Sequence, residues 1–108
     1  MRTLIRRFAE ARNAHDGSAV AALYSEDGEF LDAAGEVAIH SRQNLAAIWS
    51  NLPGQVARSI ESIDFPTASM AIVHVAMHSD QSLDAYHETF VAINESGVWR
   101  IRLHQPGK

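Results

Sequence analysis

The fold is decided by residues 70–105, which read MAIVHVAMHSDQSLDAYHETFVAINESGVWRIRLHQ. Apolar, aromatic and β-branched residues dominate three segments, about Met70–Ser79, Leu83–Ile93 and Val98–Gln105, and polar turns separate them. A fourth segment of the same kind, about Val56–Phe65, precedes them and ends at a proline. The sequence therefore predicts a four-stranded antiparallel meander.

Three histidines fall at matching places in the last three segments. A tight turn at residues 80–81 would set His74 opposite His87, and a turn centred on residues 95–96 would set His87 opposite His104. Because directly opposed residues share a face of the sheet, the three imidazoles are predicted to form one lateral row. Such a row is typical of a solvent fringe, a polar pocket wall or a metal site.

Both faces of the predicted meander carry apolar side chains. One face is predicted to hold Val73, Val75, Met77, Phe90, Trp99, Ile101 and Leu103. The other is predicted to hold Ile72, Val91 and Ile93 together with the three histidines. Since a sheet with one wet face alternates cleanly, we expect helices to cover one face and a second copy of the chain to cover the other. An undetected β-bulge would invalidate this assignment, because one extra residue reverses every later side chain.

Helical spacing of apolar residues precedes the meander. The predicted helices are about Thr3–Ala14, a short one that begins at the cap Asp16 and ends at Asp27-Gly28, and a third that Ser41 caps and Pro53-Gly54 ends. A hairpin of about Glu29–Ala33 and Glu36–His40 lies between the second and third helices. Residues 1–108 are therefore predicted to form one α+β domain, with three helices packed against a curved antiparallel sheet.

Composition excludes several functional classes. The formal charge of −4 argues against a nucleic-acid module, and no apolar run approaches the length of a membrane span. The first residues lack the apolar stretch of a signal peptide, and cysteine is absent, so we expect a cytoplasmic protein without disulfides or thiolate chemistry. No glycine-rich phosphate loop occurs, and we expect no organic cofactor.

Two stretches of the chain resemble a known superfamily. Residues Arg7–Asp16 and Ala21–Asp27 resemble the opening of SnoaL-like and ketosteroid-isomerase-like proteins, which belong to the nuclear-transport-factor-2-like superfamily. The ending Gly97–Gln105 resembles the SgcJ/EcaC-type branch of that superfamily. The resemblance implies a cone-shaped curved sheet wrapped around the helices, a pocket at the wide end, and dimers through the outer face of the sheet.

The resemblance also implies roles for single residues. Asp32 stands where ketosteroid isomerases keep the aspartate that moves the proton, and it shares a strand face with Phe30. A poorly solvated carboxylate is a more useful base, which favours the same assignment. The residues alone leave a second interpretation open, in which Leu31 and Ala33 face the core and Asp32 faces water. Phe8 stands near the place of the catalytic tyrosine but has no hydroxyl, and Thr89 stands near the place of a second, carboxylic acid donor. Both departures argue against the steroid reaction itself.

Further residues are implied to line the pocket. The implied proton-handling group is Asp32, His104, His74 and His87, and the implied substrate contacts are Phe8, Phe30, Trp49, Ile72 and Thr89. For Trp49 and Phe65 the simpler interpretation is core packing at the apolar end of the cone. The sharper alternatives are a metal held by the three histidines, which a linear row disfavours, and an epoxide-hydrolase site using Arg58 and Asp64.

Two hypotheses remain open from the sequence. In the first, the chain is a small enzyme of the isomerase, cyclase or dehydratase type, which moves a proton on a small, largely apolar carbonyl compound with Asp32 as base. In the second, it is a non-catalytic domain of the same fold that holds a small hydrophobic molecule or serves in dimerisation.

Overall fold

Capping side chains stand ahead of two of the amphipathic segments, and the helices begin there. In the computed structural model, Asp16 Oδ1 accepts a hydrogen bond from the Ala19 amide at 3.1 Å, and Ser41 Oγ accepts one from the Asn44 amide at 3.3 Å. Both predicted caps are thus confirmed. The structure describes residues 1–32, 35 and 38–107.

Three helices and six strands occur in that part of the chain. The helices are α1 (Arg2–Asn13), α2 (Gly17–Ala22) and α3 (Arg42–Asn51). The strands are β1 (Tyr24–Leu31), β2 (Ala38–His40), β3 (Val56–Thr67), β4 (Met70–Ser79), β5 (Ala85–Glu95) and β6 (Val98–Gly107). None of the helices in the described residues is long and apolar enough to cross a membrane.

The strands form one curved, unclosed sheet in the order β2-β1-β6-β5-β4-β3. The predicted α+β class and the four-stranded meander are confirmed. The prediction of a wholly antiparallel sheet is wrong at one place, because β1 pairs with β6 in parallel. Those two strands are far apart in sequence, so the long crossover that a parallel pair needs is available.

The second helix is shorter than its apolar spacing predicts. It ends at Ala22, and Tyr24 already pairs with Ile101 as the first residue of β1. The Ile101 amide donates to the Leu23 carbonyl at 2.9 Å, which ties the end of the helix to β6 immediately before β1 begins. Pairing with the last strand therefore outweighs the local helical pattern, as tertiary contacts commonly do.

The β4–β5 hairpin has a different register from the predicted one. His74 lies opposite Thr89, and His87 lies opposite Ala76. The physical reason is Asp80, whose amide donates to the Gln55 carbonyl at 3.0 Å while its Oδ1 accepts from the Gln55 amide at 2.9 Å. These two bonds extend the β3–β4 pairing into the predicted turn, and the chain reverses further downstream.

The β5–β6 hairpin also departs from the prediction. Its turn is centred on Ser96 and Gly97, whose φ angles of 54° and 89° are those of a type I′ hairpin turn. A bulge at Arg102 then shifts the register, so that Leu103 faces Val91 and the next residue of β6 faces Phe90. Because one extra residue exchanges the two faces of a strand, the predicted places of Leu103 and His104 are reversed.

The core lies between the inner face of the sheet and the helices. Its fully buried members include Phe8, Val20, Tyr24, Val73, Val75, Phe90, Ala92 and Ile101. On the outer face, Ile72, Val91, Ile93 and Leu103 are only partly buried.

Strand β3 forms one edge of the sheet and runs through Pro66, which was predicted to end it. An edge position tolerates the missing amide of a proline. Phe65, beside it, is 55% exposed. Its predicted place at the apolar end of the core is therefore wrong, although its ring contacts Trp99 with centroids 6.0 Å apart.

Candidate active site

A pocket of about 240 Å³ opens between the inner face of the sheet, the start of β3 and helix α3. The described residues that line it are Arg12, Phe30, Trp49, Leu52, Val56, Arg58, Met77, Ser79, Tyr86, Glu88, His104 and Pro106. Most of this wall is apolar, and the charged groups gather on one part of it. A pocket of this kind, with a few convergent polar groups, is the usual form of a small-molecule site.

Four side chains form a hydrogen-bonded chain at the pocket, and three of them, Arg58, Glu88 and His104, line its wall. His104 Nε2 lies 2.6 Å from Glu88 Oε2, and His104 Nδ1 lies 3.2 Å from the Tyr24 hydroxyl oxygen. The other carboxylate oxygen of Glu88 accepts from Arg58 Nε in an ion pair. We call these four residues the Glu88 network.

Burial, hydrogen bonds and the charge of Arg58 together determine which members of the Glu88 network are ionised. Burial lowers the pKa of His104 despite the opposing influence of Glu88, so the ring is neutral at neutral pH. Burial alone would raise the pKa of Glu88, but the hydrogen bonds from His104 and Arg58 and the positive charge of Arg58 outweigh it and hold that pKa below its ordinary value. Burial also raises the pKa of Tyr24 far above its ordinary value, which keeps the phenol protonated.

These charges select one direction for the hydrogen bonds. A neutral His104 that donates through Nε2–H to the Glu88 carboxylate must accept at Nδ1, and the protonated Tyr24 hydroxyl donates there. The hydrogen bonds therefore run from the Tyr24 phenol through the His104 imidazole to the Glu88 carboxylate, whose charge Arg58 neutralises. Each member is fixed by the next, so the carboxylate is held ionised and oriented.

Aromatic rings hold the imidazole of His104 in place. It stacks on Phe90 with ring centroids 4.1 Å apart and planes 4° apart, and it stacks on Trp49 at 5.7 Å. Phe8 meets the same imidazole edge-on at 5.1 Å, and the Arg58 guanidinium lies over the Phe8 ring at 5.0 Å. The ring of His104 therefore has little freedom to rotate away from Glu88.

Two buried polar atoms on the pocket wall lack a hydrogen-bond partner within the described residues. They are Arg58 Nη1 and Trp49 Nε1. The indole N–H of Trp49 lies close enough to the Tyr24 phenol to favour its ionised form slightly, but without standard hydrogen-bond geometry. Arg58 Nη1 is the clearer case, because its side chain is only 4% exposed and its Nε is already bound to Glu88.

Three of the predicted site residues meet at this pocket. Phe30, Trp49 and His104 line it, and Phe30 contacts both other rings, with centroid distances of 4.9 and 5.1 Å. Phe8 is fully buried in the core against the same rings. Their position at or beside the pocket does not test whether they contact a substrate, so their roles stay predictions.

Four other predicted residues lie elsewhere, and their predicted place on the pocket wall is wrong. His74 and His87 are exposed, Thr89 and Ile72 are half-buried, and all four belong to the outer face of the sheet. There Thr89 Oγ1 lies 3.3 Å from His74 Nδ1, and His87 Nδ1 lies 2.8 Å from Glu61 Oε1. The physical reason is the strand parity, which puts Val73, Glu88 and Phe90 inward and their neighbours outward.

The row of three histidines is therefore not formed. His104 is on the inner face of the sheet, and the other two are on the outer face. The metal site that this row could have provided is excluded by the intervening sheet, and no group of three or more metal-ligating side chains occurs in residues 1–32, 35 and 38–107. The second alternative also fails, because Arg58 pairs with Glu88 while Asp64 is exposed opposite Ile72 on the outer face.

Asp32 lies directly after β1 and is half-exposed. Its backbone carbonyl accepts hydrogen bonds from the Gly35 amide at 3.0 Å and from Gln105 Nε2 at 3.4 Å. It stands outside the group of described residues that line the pocket. The predicted partner of Asp32 in the hairpin, about Glu36–His40, falls partly on residues outside the described ones.

The residues that were not predicted to belong to the site include Glu88, Tyr24 and Arg12. A signal for Glu88 existed, because it stands two residues before Phe90, which the alternation places in the core. The resemblance placed a carboxylic acid donor near Thr89, one residue away from the inward-facing Glu88. Tyr24 was hidden by the helical interpretation of its segment.

Comparisons with known proteins agree with the fold described above. A family model described as a SnoaL-like domain matches residues 5–105. The match does not distinguish the SgcJ/EcaC-type branch, which stays an expectation. No curated protein sequence matches the chain significantly.

Solved structures resemble the whole chain. A ketosteroid isomerase-like protein from Erwinia carotovora atroseptica has a TM-score of 0.80 and 21% identity, covering 99% of this chain and 92% of that one. An NTF-2 like protein from Shewanella oneidensis has a TM-score of 0.80 and 19% identity, covering 99% and 95%. A domain with a cystatin-like fold from Nostoc punctiforme has a TM-score of 0.83 and 18% identity, covering 98% and 73%. Similarities at this level of identity establish the fold alone.

Proposed function

The chain belongs to the SnoaL-like domain family, and on that premise we propose that it binds a small, largely apolar carbonyl compound in its pocket and transfers a proton on it. The observation that carries this proposal is the ionised carboxylate of Glu88, buried beside neutral His104 on the wall of an apolar pocket. A carboxylate shielded from water and held in one orientation is suited to remove a proton from carbon, and these two properties act against its lowered pKa, which by itself makes Glu88 a weaker base.

The proposed reaction begins at the carbon next to the substrate carbonyl. Glu88 takes the proton from that carbon, the electron pair of the broken C–H bond forms a C=C bond to the carbonyl carbon, and the π pair of the C=O bond moves onto the oxygen to give an enolate. The Glu88 carboxylic acid then returns the proton to a different carbon, which completes an isomerisation. His104 donates to Oε2 throughout, so Glu88 and His104 titrate as a pair.

Arg58 is the group placed to stabilise the enolate. Its Nε is bound to Glu88, while Nη1 has no acceptor in the described residues and belongs to a side chain that lines the pocket. A charged N–H that is already oriented needs no reorganisation when negative charge develops on the substrate oxygen. Arg58 thus replaces the phenol that the resemblance implied and that Phe8 cannot supply.

A second candidate function is supported by the completeness of the Glu88 network. Both oxygens of Glu88 and both ring nitrogens of His104 already have protein partners. A non-catalytic domain that holds a small hydrophobic ligand would use such a network only to shape and orient the pocket. Cofactor-independence and a cytoplasmic location stay predictions under both candidates.

The proton-transfer proposal predicts a loss of turnover in Glu88→Gln. Conversion of 3-cyclohexenone to its conjugated isomer, followed by ultraviolet absorbance, reports proton transfer on a small carbonyl compound. With the carboxylate removed, we expect the rate to fall by about 10²- to 10⁴-fold. Glu61→Gln, on the outer face of the sheet, is the matched control and should keep the rate.

The variant Asp32→Asn shows whether Asp32 or Glu88 is the base. If Asp32 is the base that the resemblance implied, its variant loses turnover while Glu88→Gln keeps it, and our assignment is wrong. If the wild-type protein turns over neither this ketone nor other small ketones in which proton exchange with D₂O is followed by NMR, the enzyme proposal fails and the binding function is favoured. Circular dichroism of each variant checks that the fold is retained.

We also propose a homodimer through the outer face of the sheet. Val91 lies opposite both Ile72 and Leu103 on neighbouring strands, so these partly buried side chains form a continuous apolar patch. A charge in its centre, Val91→Glu, is expected to give a monomer in light scattering, whereas Gln43→Glu on the exposed surface of α3 should not. A monomeric wild-type protein at micromolar concentration would contradict the proposal.

A further inference from the structure

The charges on the pocket wall do not cancel. The described lining residues include the guanidinium groups of Arg12 and Arg58 and one carboxylate, that of Glu88, while His104 is neutral. The wall therefore carries a net charge of one positive unit, although the chain as a whole has a formal charge of −4. Because the chain as a whole is acidic, its composition does not explain the positive charge of this pocket. The positive charge instead indicates that the ligand is negatively charged.

The positive charge of Arg12 is bound by neutral backbone carbonyl groups. Its Nη1 and Nη2 donate to the carbonyls of Gly54 and Pro53, each at 2.9 Å, and it forms no ion pair within residues 1–32, 35 and 38–107. Burial and then the nearby Arg58 guanidinium lower the pKa of Arg12, while Asp80 and Glu88 act in the opposite direction. Two guanidinium groups thus repel each other at the pocket, and an anion between them would relieve that repulsion.

Arg58 provides the hydrogen bond that such an anion would need. Its Nη1 is buried and lacks a partner among the described residues, an arrangement that is unfavourable until an acceptor arrives. A carboxylate oxygen is a strong acceptor for a guanidinium N–H, and the geometry of the two groups is complementary. We also assigned this atom to the substrate carbonyl oxygen, and because Nη1 carries two N–H groups it can donate one to the carboxylate and one to the carbonyl oxygen.

We propose that the ligand of this pocket is a small hydrophobic carboxylic acid, bound as a monoanion with its carboxylate between Arg12 and Arg58. A monoanion matches the single net positive charge, whereas a phosphate dianion would exceed it and meet the carboxylate of Glu88. The apolar remainder of the acid contacts Phe30, Trp49, Leu52 and Met77. The inference rests on the proposed function only in placing the substrate in the same pocket, and it narrows the carbonyl compound to one that carries a carboxylate.

Binding of matched acids and amides tests this inference without turnover. The probes are isovalerate with isovaleramide, phenylacetate with phenylacetamide, and inorganic phosphate, each titrated to millimolar concentration. Fluorescence of Trp49 on the pocket wall reports binding, in a Trp99→Phe background that removes the second tryptophan. We expect at least one acid to bind about 10- to 100-fold more tightly than its amide, because its acceptor is charged.

Arginine variants test which residues cause the preference for the acid over the amide. Arg58→Gln and Arg12→Gln should each reduce the preference for the acid, and Arg100→Gln, whose side chain donates to the Ala22 carbonyl away from the pocket, should leave it unchanged. Arg12→Gln keeps the Glu88 network intact, so it remains informative if Arg58→Gln does not fold. Equal affinity for acid and amide, binding of phosphate alone, no binding of any acid, or a preference that survives in Arg12→Gln would each overturn the inference.

The result of this binding experiment is independent of the proposed proton transfer. Tight acid binding with unaffected turnover in Glu88→Gln would leave the inference standing and reject the proposed function. Turnover of neutral ketones without any acid binding would do the opposite.

Discussion

Glu88→Leu is expected to lower the free energy of unfolding by about 3–5 kcal/mol, the usual effect of removing one partner from a buried ion pair. The side chains of Glu88 and Arg58 are 1% and 4% exposed, so water cannot replace the lost carboxylate. The variant leaves the Arg58 guanidinium as an uncompensated charge and the Nε2–H of His104 without its acceptor. Urea unfolding at neutral pH measures the change.

A double variant separates the ion pair from the packing around it. Arg58→Met combined with Glu88→Leu removes both charges and replaces them with apolar groups, and it should be more stable than Glu88→Leu alone. Glu61→Leu removes a carboxylate from the exposed contact with His87 and should change stability by no more than about 1 kcal/mol. A Glu88→Leu protein within about 1 kcal/mol of wild type would mean that the Glu88 carboxylate is not a buried counter-charge in solution.

The fold was predictable because its signals are redundant along the chain. Capping by Asp16 and Ser41 and the alternating apolar residues of the meander are local patterns, and each survives an error in its neighbours. Tyr24 is the exception, since its β pairing with Ile101 depends on a partner far away in sequence. Local periodicity could not reveal that partner.

The candidate site was less predictable because it depends on register. His104 reaches the inner face only through the bulge at Arg102, and no local pattern announces a bulge there. The Ser96-Gly97 turn did carry a signal, since glycine favours the second position of a type I′ turn, and centring the hairpin there corrects part of the register. Glu88 was within reach of simple alternation from Phe90.

Phe8→Ala is expected to lower the free energy of unfolding by about 3–5 kcal/mol, the usual cost of truncating a fully buried phenylalanine. Phe8 is 0% exposed and contacts the rings of Trp49, Phe90 and His104 at centroid distances of 5.1 Å each. These rings also pack on one another, so they cannot close the cavity without breaking their own contacts. The cost should therefore lie in the upper part of this range, and urea unfolding measures it.

A matched control distinguishes the effect of burial from that of side-chain size. Leu83 is 98% exposed, and Leu83→Ala should change stability by less than about 0.5 kcal/mol. Phe8→Ala also removes the ring beneath the Arg58 guanidinium, so it should weaken the Glu88 network as well as the core. Combining Phe8→Ala with Glu88→Leu should then cost less than the sum of the two single changes, because both disturb the surroundings of Arg58. Strict additivity would show that Phe8 acts only as core packing, with no part in holding the charged wall of the pocket.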